Sequence, residues 1–353
     1  MDPSRPTHAP SLGLRLALLT ASLLITGTIA ELVVRRLDHD AFPRLRMFER
    51  AGDGSIVLAS NTAARLIGSR GTICEIVTGP HGVRVQDAGA AEPRGAWLAV
   101  GDSQVLGFGV ADRDTFVARA SAAGVPMINA GVPGYGVEDA LHRAATLVGP
   151  LRARGVLLVV NQANDWEEVG QPIERRFRVR GGWLLQAANA DGWRARYLAS
   201  PISRLHLFYY AMQPIIGRGP SNFTAAATIP GWLSAPQTQD AATHAMAAAV
   251  RRFASTQPHV PVVVAFLPVD CATSAIRALR SPFASLLRNN NPWMDHTLRD
   301  QLRMSLVGTT MIDLLPALTD ADDFLDDDYH LSPRGHLAVA QVLVSQLSER
   351  TAR

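Results

Sequence analysis

The hydrophobic pattern divides the chain into an N-terminal apolar stretch and a long alternation of short apolar runs with amphipathic ones. Leu12 to Val34 is a 23-residue apolar stretch broken by charge only at Arg15 and Glu31. A membrane-spanning helix needs roughly 20 such residues. The uncharged core, Leu16 to Ala30, has 15 residues and also suits a signal peptide, with Thr28-Ile29-Ala30 as a small-residue cleavage site. Leu32-Val33-Val34 continues the apolar run before Arg35-Arg36 stop it, which favours an uncleaved anchor. Residues 1–46 are therefore expected to form a tail and a transmembrane helix.

Residues 47–96 read as an accessory β segment. Gly52-Asp53-Gly54 is a turn signal, Ser55–Leu58 a strand, and Ile73–Val77 a second strand expected to pair with it. From Trp97 onward, apolar runs at Trp97–Val100, Val125–Ile128, Gly155–Val160, Val260–Leu267 and Thr310–Leu314 alternate with helical patterns. The helices are expected at Asp114–Ala123, Val137–Val148, Ala241–Thr256, Trp293–Leu306 and Ser332–Ser348. Continuous apolar strands between amphipathic helices predict an α/β domain, a parallel sheet covered on both faces. Its loops of chemical interest belong at the carboxyl ends of the strands. An insertion at 166–236 breaks the alternation. It opens with a hairpin signal, Phe177–Arg180 and Trp183–Leu185 flanking Gly181-Gly182, and is rich in aromatic residues thereafter.

Two short stretches carry the chemistry. Gly101-Asp102-Ser103 follows the first buried strand, and Asp326-Asp327-Asp328-Tyr329-His330 lies near the C-terminus. A serine hydroxyl is a weak nucleophile until a base takes its proton, and the base needs a carboxylate to fix its tautomer. The two stretches supply all three parts in the order Ser, Asp, His. Asp102 adjoins the serine and is better suited to holding the turn than to orienting the base.

Gly101–Val110 resembles the first block of the SGNH (GDSL) esterases and acyltransferases, and three further stretches resemble later blocks in the family's order. These are Asn129–Gly136, Asn164-Asp165 and Asp327–His330. The resemblance spans about residues 97–350 and implies a flavodoxin-like three-layer α/β/α hydrolase domain. It implies Ser103 as nucleophile, His330 as general base and Asp327, through an Asp-x-x-His spacing, as orienting carboxylate. The implied oxyanion hole comprises Ser103, Gly134 and Asn164, with Gly131 the rival for the glycine role. Gln162-Ala163 departs from the family pattern, in which glycines commonly precede the asparagine. Neither cofactor nor metal is implied. The implied activity is serine esterase chemistry on an acylated carbohydrate or other small ester. The alternatives are an O-acyltransferase acting on a surface polysaccharide and a non-catalytic carbohydrate-binding relative.

Composition refines this picture little. All 34 basic residues are arginine, the net charge is only +3, and no helix carries a basic stripe, which argues against nucleic-acid binding. Cys74 and Cys271 fit no zinc spacing and leave open either one disulfide or two buried thiols. Orientation is in conflict. Arg35, Arg36, Arg44 and Arg46 follow the span while Arg5 and Arg15 lie at its start, a count that favours a cytoplasmic domain. The resemblance implies a domain outside the inner membrane.

Overall fold

The computed structural model describes residues 11–37, 46–67, 73–87, 89–216, 236–281, 283, 297–326 and 328–351. The first helix, α1 (Leu12–Leu37), buries none of its residues. At 26 residues it is about 39 Å long, more than the roughly 30 Å of a bilayer's hydrocarbon core. Two strands then form a small ribbon, β1 (Phe48–Arg50) antiparallel to β2 (Ile56–Leu58). β3 (Ala63–Ile67), β4 (Ile73–Thr78) and β5 (Arg84–Val85) follow.

The alternating part comprises β6 (Trp97–Val100), α2 (Ser103–Leu106), α3 (Phe116–Ala122), β7 (Met127–Asn129), α4 (Val137–Leu151) and β8 (Gly155–Asn161). The insertion holds α5 (Asp165–Glu168), α6 (Ile173–Arg176), a hairpin of β9 (Phe177–Arg180) and β10 (Trp183–Gln186), α7 (Trp193–Ala199) and α8 (His206–Ile216). After it come α9 (Pro236–Thr256), β11 (Val262–Leu267), α10 (Ala275–Arg280), α11 (Thr297–Ser305), β12 (Thr310–Asp313) and α12 (Pro333–Thr351). The expected helix start at Trp293 lies outside the described residues.

One eight-stranded sheet has the order β12-β11-β8-β6-β7-β5-β4-β3. The five strands from β12 to β7 are parallel. Numbered along the chain, they run 2-1-3-4-5 across the sheet, the flavodoxin-like doubly wound order. The apolar runs face two layers because successive strand residues point to opposite sides. Leu98, Val100, Leu158 and Phe266 pack with α4, α9 and α11; Trp97, Ala99, Val159 and Ala265 pack with α3 and α12. All seven residues of β8 are buried, as a central parallel strand requires.

The accessory strands behave differently from expectation. β2 pairs with β1, while β4 pairs with β3 and β5, and β5 is antiparallel to β7. Residues 63–85 thus extend the main sheet instead of forming a separate pair with Ser55–Leu58. The cysteines are both free and buried. Cys74 lies in β4 and Cys271 just beyond β11, five strand positions apart in the sheet order. At about 4.8 Å per step this is roughly 24 Å, far beyond disulfide reach.

Candidate active site

The point where the chain's winding reverses lies between β6 and β8, and loops at the carboxyl ends of such strands form a natural cleft. Ser103 opens α2 directly after β6, and Asn164 caps α5 directly after β8. The serine turn is built by Asp102. Its Oδ1 accepts the Gln104 N–H at 2.8 Å, and its Oδ2 accepts Asn161 Nδ2 at 2.8 Å. Asp102 therefore ties the β6 loop to the end of β8. Burial pushes its carboxyl above the usual range, against the hydrogen bonds from Asn161 and Gln104.

His330 meets Ser103 from the far end of the chain. Its Nε2 lies 2.8 Å from Ser103 Oγ, and its Nδ1 lies 2.6 Å from Asp328 Oδ1. The Asp-x-x-His spacing pointed to Asp327. That residue lies outside the described residues, and the carboxylate set against Nδ1 is Asp328. The reason is local: the Asp328 side chain also accepts the His330 backbone N–H at 3.3 Å, so a tight turn folds it back under the ring two residues on. Burial raises the Asp328 carboxyl, but the His330 charge and hydrogen bonds outweigh it and leave the group below the ordinary carboxylate range. Phe108 and Tyr329 both stack on the imidazole, with centroids at 4.8 and 4.6 Å. Ser103 and His330 are each only 1% exposed.

Three features that sequence reading missed hold the histidine loop. The Gln104 amide clamps both sides of His330: Nε2 donates to the Tyr329 carbonyl, and Oε1 accepts the Leu331 N–H, each at 3.0 Å. The residue beside the serine thus fixes the loop of its partner. Arg277, fully buried, pairs with Asp270 at 2.8 Å and donates to the Asp328 carbonyl at 2.5 Å. Ser332 caps α12, its Oγ accepting the Gly335 N–H at 3.2 Å. The signals for Gln104, Arg277 and Asp270 are long-range contacts with no local motif. His336 is buried, and its Nδ1 accepts the Phe116 N–H at 3.1 Å. Burial, with Arg84 and His330 nearby, brings its pKa down to about 3.

The two glycines are separable by geometry. The Gly131 N–H donates to Asn129 Oδ1 at 3.2 Å, and a Cβ there would fall 2.3 Å from the Leu106 nitrogen. Gly131 is a close-approach residue with its donor engaged. Gly134 has φ +83°, a conformation that disfavours side chains, and its N–H meets no acceptor among the described residues. The Ser103 N–H likewise meets none among them. Arg176 holds the Gly134 loop, donating to its carbonyl at 2.6 Å.

Asn164 sits in a more charged setting than expected. Its Nδ2 donates to Glu168 Oε2 at 3.2 Å, while its buried Oδ1 meets no donor. Glu168 also bonds Arg176 at 2.6 Å. Burial outweighs Arg176, and with Asp102 and Asp139 nearby the Glu168 pKa is pushed up to about 8. Asp165, buried beside Asp102 and Glu168, is also held well above its ordinary value.

No family model and no curated protein matches the chain. Among solved structures, a lipase/acylhydrolase from Enterococcus faecalis is 15% identical, with 72% of this chain and 96% of that one covered and a TM-score of 0.38. The psychrotrophic esterase EstA from a Pseudoalteromonas species is 11% identical, covering 73% and 100%, with a TM-score of 0.37. A GDSL-like lipase from Bacteroides thetaiotaomicron is 8% identical, covering 74% and 94%, with a TM-score of 0.39. Likenesses this distant add nothing to what the site's own geometry says.

Two outcomes follow from the site. Gln104→Ala removes both clamps on the His330 loop without touching its ring, and the reaction of Ser103 with a fluorophosphonate probe should slow on the order of 10- to 100-fold. An unchanged rate would show that the clamp does not position His330. Glu168 titrates near 4.5 ordinarily and near 8 here, so the folded protein binds the extra proton across that window and loses stability as pH rises from about 4.5 to 8. Glu168→Gln keeps an acceptor for Asn164 and should raise thermal stability in detergent at pH 8 relative to the parent, with little effect at pH 4.5. Equal gains at both pH values would contradict the buried, raised carboxyl.

Proposed function

We propose that the chain is an SGNH-type serine hydrolase acting on ester bonds. The observation that carries this reading is the relay Ser103 Oγ to His330 Nε2 at 2.8 Å and His330 Nδ1 to Asp328 at 2.6 Å, at the carboxyl end of the first parallel strand. Ser103 Oγ attacks the ester carbonyl carbon as His330 Nε2 takes its proton. Asp328 holds Nδ1 and balances the imidazolium charge. The carbonyl oxygen becomes an anion, received by the N–H groups of Ser103 and Gly134 and by Asn164. One such donor is typically worth about 3–4 kcal/mol. Collapse of the intermediate breaks the bond to the alcohol oxygen, which takes the proton from His330 and leaves. Water, deprotonated by His330, then attacks the acyl-serine, and the serine regains its proton.

Transfer of the acyl group to a sugar hydroxyl is a second reading with the same residues. In hydrolysis an acylated carbohydrate or other small ester is the acyl donor; in transfer the free sugar hydroxyl is the acceptor and the acylated carbohydrate the product.

Fluorophosphonate labelling with peptide mapping tests the core of the reading. Ser103→Ala should abolish labelling and turnover of a short-chain ester while leaving the fold intact. Asp328→Ala should cut turnover on the order of 10⁴-fold, as expected when the imidazole loses its tautomer. Asp327→Ala should leave turnover within a few-fold of the parent. Undiminished turnover by Ser103→Ala, or the reverse ranking of the two aspartates, would overturn the corresponding assignment.

We also propose that α1 anchors the chain in the inner membrane with the catalytic domain on the outer side. The family resemblance supports that side, and the arginine count opposes it. A C-terminal reporter active only in the periplasm should be active, and one active only in the cytoplasm silent. The reverse pattern would place the domain inside.

A further inference from the structure

The insertion after Asn164 is attached to α1 through Glu31 and to the start of the globular domain through Arg46. Glu31, the acidic residue that interrupts the apolar stretch, accepts the His206 and Leu207 N–H groups, each at 2.9 Å, and so caps α8. Its other partner is Arg35 at 2.6 Å. On α1 only Gly27, Ala30, Glu31 and Val34 are partly covered, a single stripe at helical spacing. Just before β1, Arg46 donates to Ser203 O and Oγ at 2.8 and 2.7 Å. Ser203 lies in the short 3-10 turn Pro201–Arg204 that joins α7 to α8. Tyr197 of α7 in turn donates to the Phe208 carbonyl of α8 at 3.2 Å.

This attached face has an unusual surface. The α8 sequence, HLFYYAMQPII, contains no Asp, Glu, Lys or Arg, and none of its described side chains is buried. Phe208 is 47% exposed, Ile202 50% and Trp193 52%. Arg194, Arg196 and Arg204 are exposed on the same segment. A helix without charged residues whose described side chains are only partly covered or exposed, edged by tryptophan and arginine, has the composition of a membrane interface. Among the described residues α1 packs on α8 and supplies continuity: whatever surrounds the C-terminal third of α1 also reaches α8.

We propose that α7, the Pro201–Arg204 turn and α8 form a platform lying in the interfacial layer of the membrane that α1 enters, with anionic phospholipid headgroups as the partners of its arginines. Arginines near such a surface are drawn to its negative potential. Glu31 then has a defined task. It seats α8 against the anchor and satisfies two helix N–H groups where water is scarce. Because β9 and β10 of the same insertion pack over Gly134, through Phe177 and Leu184, the platform also fixes the candidate active site close to the bilayer. The proposal rests on α1 lying in lipid and is independent of the chemistry at Ser103.

Nitroxide labels on the full chain test it. Ile202→Cys, Phe208→Cys and two references, Leu23→Cys in α1 and Val307→Cys on the loop before β12, are reconstituted in phosphatidylcholine–phosphatidylglycerol vesicles. The native thiols are buried and the unsubstituted chain gives the labelling blank. Power saturation compares access of oxygen, which partitions into lipid, with that of a water-soluble nickel chelate. Labels at positions 202 and 208 should show an oxygen-to-nickel ratio shifted from the Val307 value towards the Leu23 value. Replacing phosphatidylglycerol by phosphatidylcholine should move both back towards water. Water-like ratios at positions 202 and 208 beside a lipid-like Leu23 would overturn the platform alone. A water-like Leu23 would overturn the anchor and the platform together. Binding of a second copy of the chain at this face would instead appear as dipolar broadening that disappears on dilution with unlabelled protein, and would also overturn it.

Discussion

The 2.8 Å hydrogen bond between Ser103 and His330 joins groups 227 residues apart in the chain. Closing a flexible loop of that length costs about 5 kcal/mol in chain entropy. A typical hydrogen bond returns about 1 kcal/mol net. The pair therefore cannot assemble itself; the sheet must bring the two loops together first. The parallel order does so by placing the β6 loop beside the β8 loop, while α12 packs on α3 and returns the C-terminal segment to the same edge. Gln104 and the Arg277–Asp270 pair then fix what the sheet has brought near. Breaking a buried pair of this kind costs about 3–5 kcal/mol, so the loop that carries His330 is tied to the stability of the whole.

The same arrangement has an electrostatic cost. Asp102, Asp165 and Glu168 are crowded behind the serine and asparagine loops, and burial raises all three. A protein selected for stability alone would not gather carboxyl groups there. Each one has a defined contact: Asp102 builds the serine turn, Asp165 accepts the Asn161 N–H at 2.6 Å, and Glu168 holds Asn164 and Arg176. The cluster sets the shape of the two loops that carry Ser103 and Asn164. Asp328 is the opposite case, a carboxylate kept ionised by the imidazole it serves.

Much of this was legible in the sequence because the features involved are local. The parallel strands announced themselves as unbroken apolar runs, and Ser103, Gly134 and Asn164 each follow one. The long apolar helix α1 and the β9–β10 hairpin were equally plain, one from length and the other from Gly181-Gly182. What was illegible is non-local. Nothing in Gln104 shows that it will grip the backbone on both sides of a residue 226 positions away (330 − 104). The partner of Ser55–Leu58 depended on which edge the accessory strands joined. A disulfide seemed open until strand order separated Cys74 from Cys271. The three-residue spacing pointed to Asp327, which lies outside the described residues, whereas the turn before His330 brings Asp328 against Nδ1, a contact that spacing alone does not reveal.

The central claim is that Ser103, His330 and Asp328 form one relay that faces an oxyanion site made by the N–H groups of Ser103 and Gly134. An experimental structure of the phosphonylated protein tests it most directly. The account predicts phosphorus bonded to Ser103 Oγ and the phosphoryl oxygen within about 2.7–3.1 Å of both N–H groups. It also predicts that His330 Nδ1 remains on Asp328. Phosphorus on another residue, a phosphoryl oxygen turned away from Gly134, or His330 paired with Asp327 would contradict it.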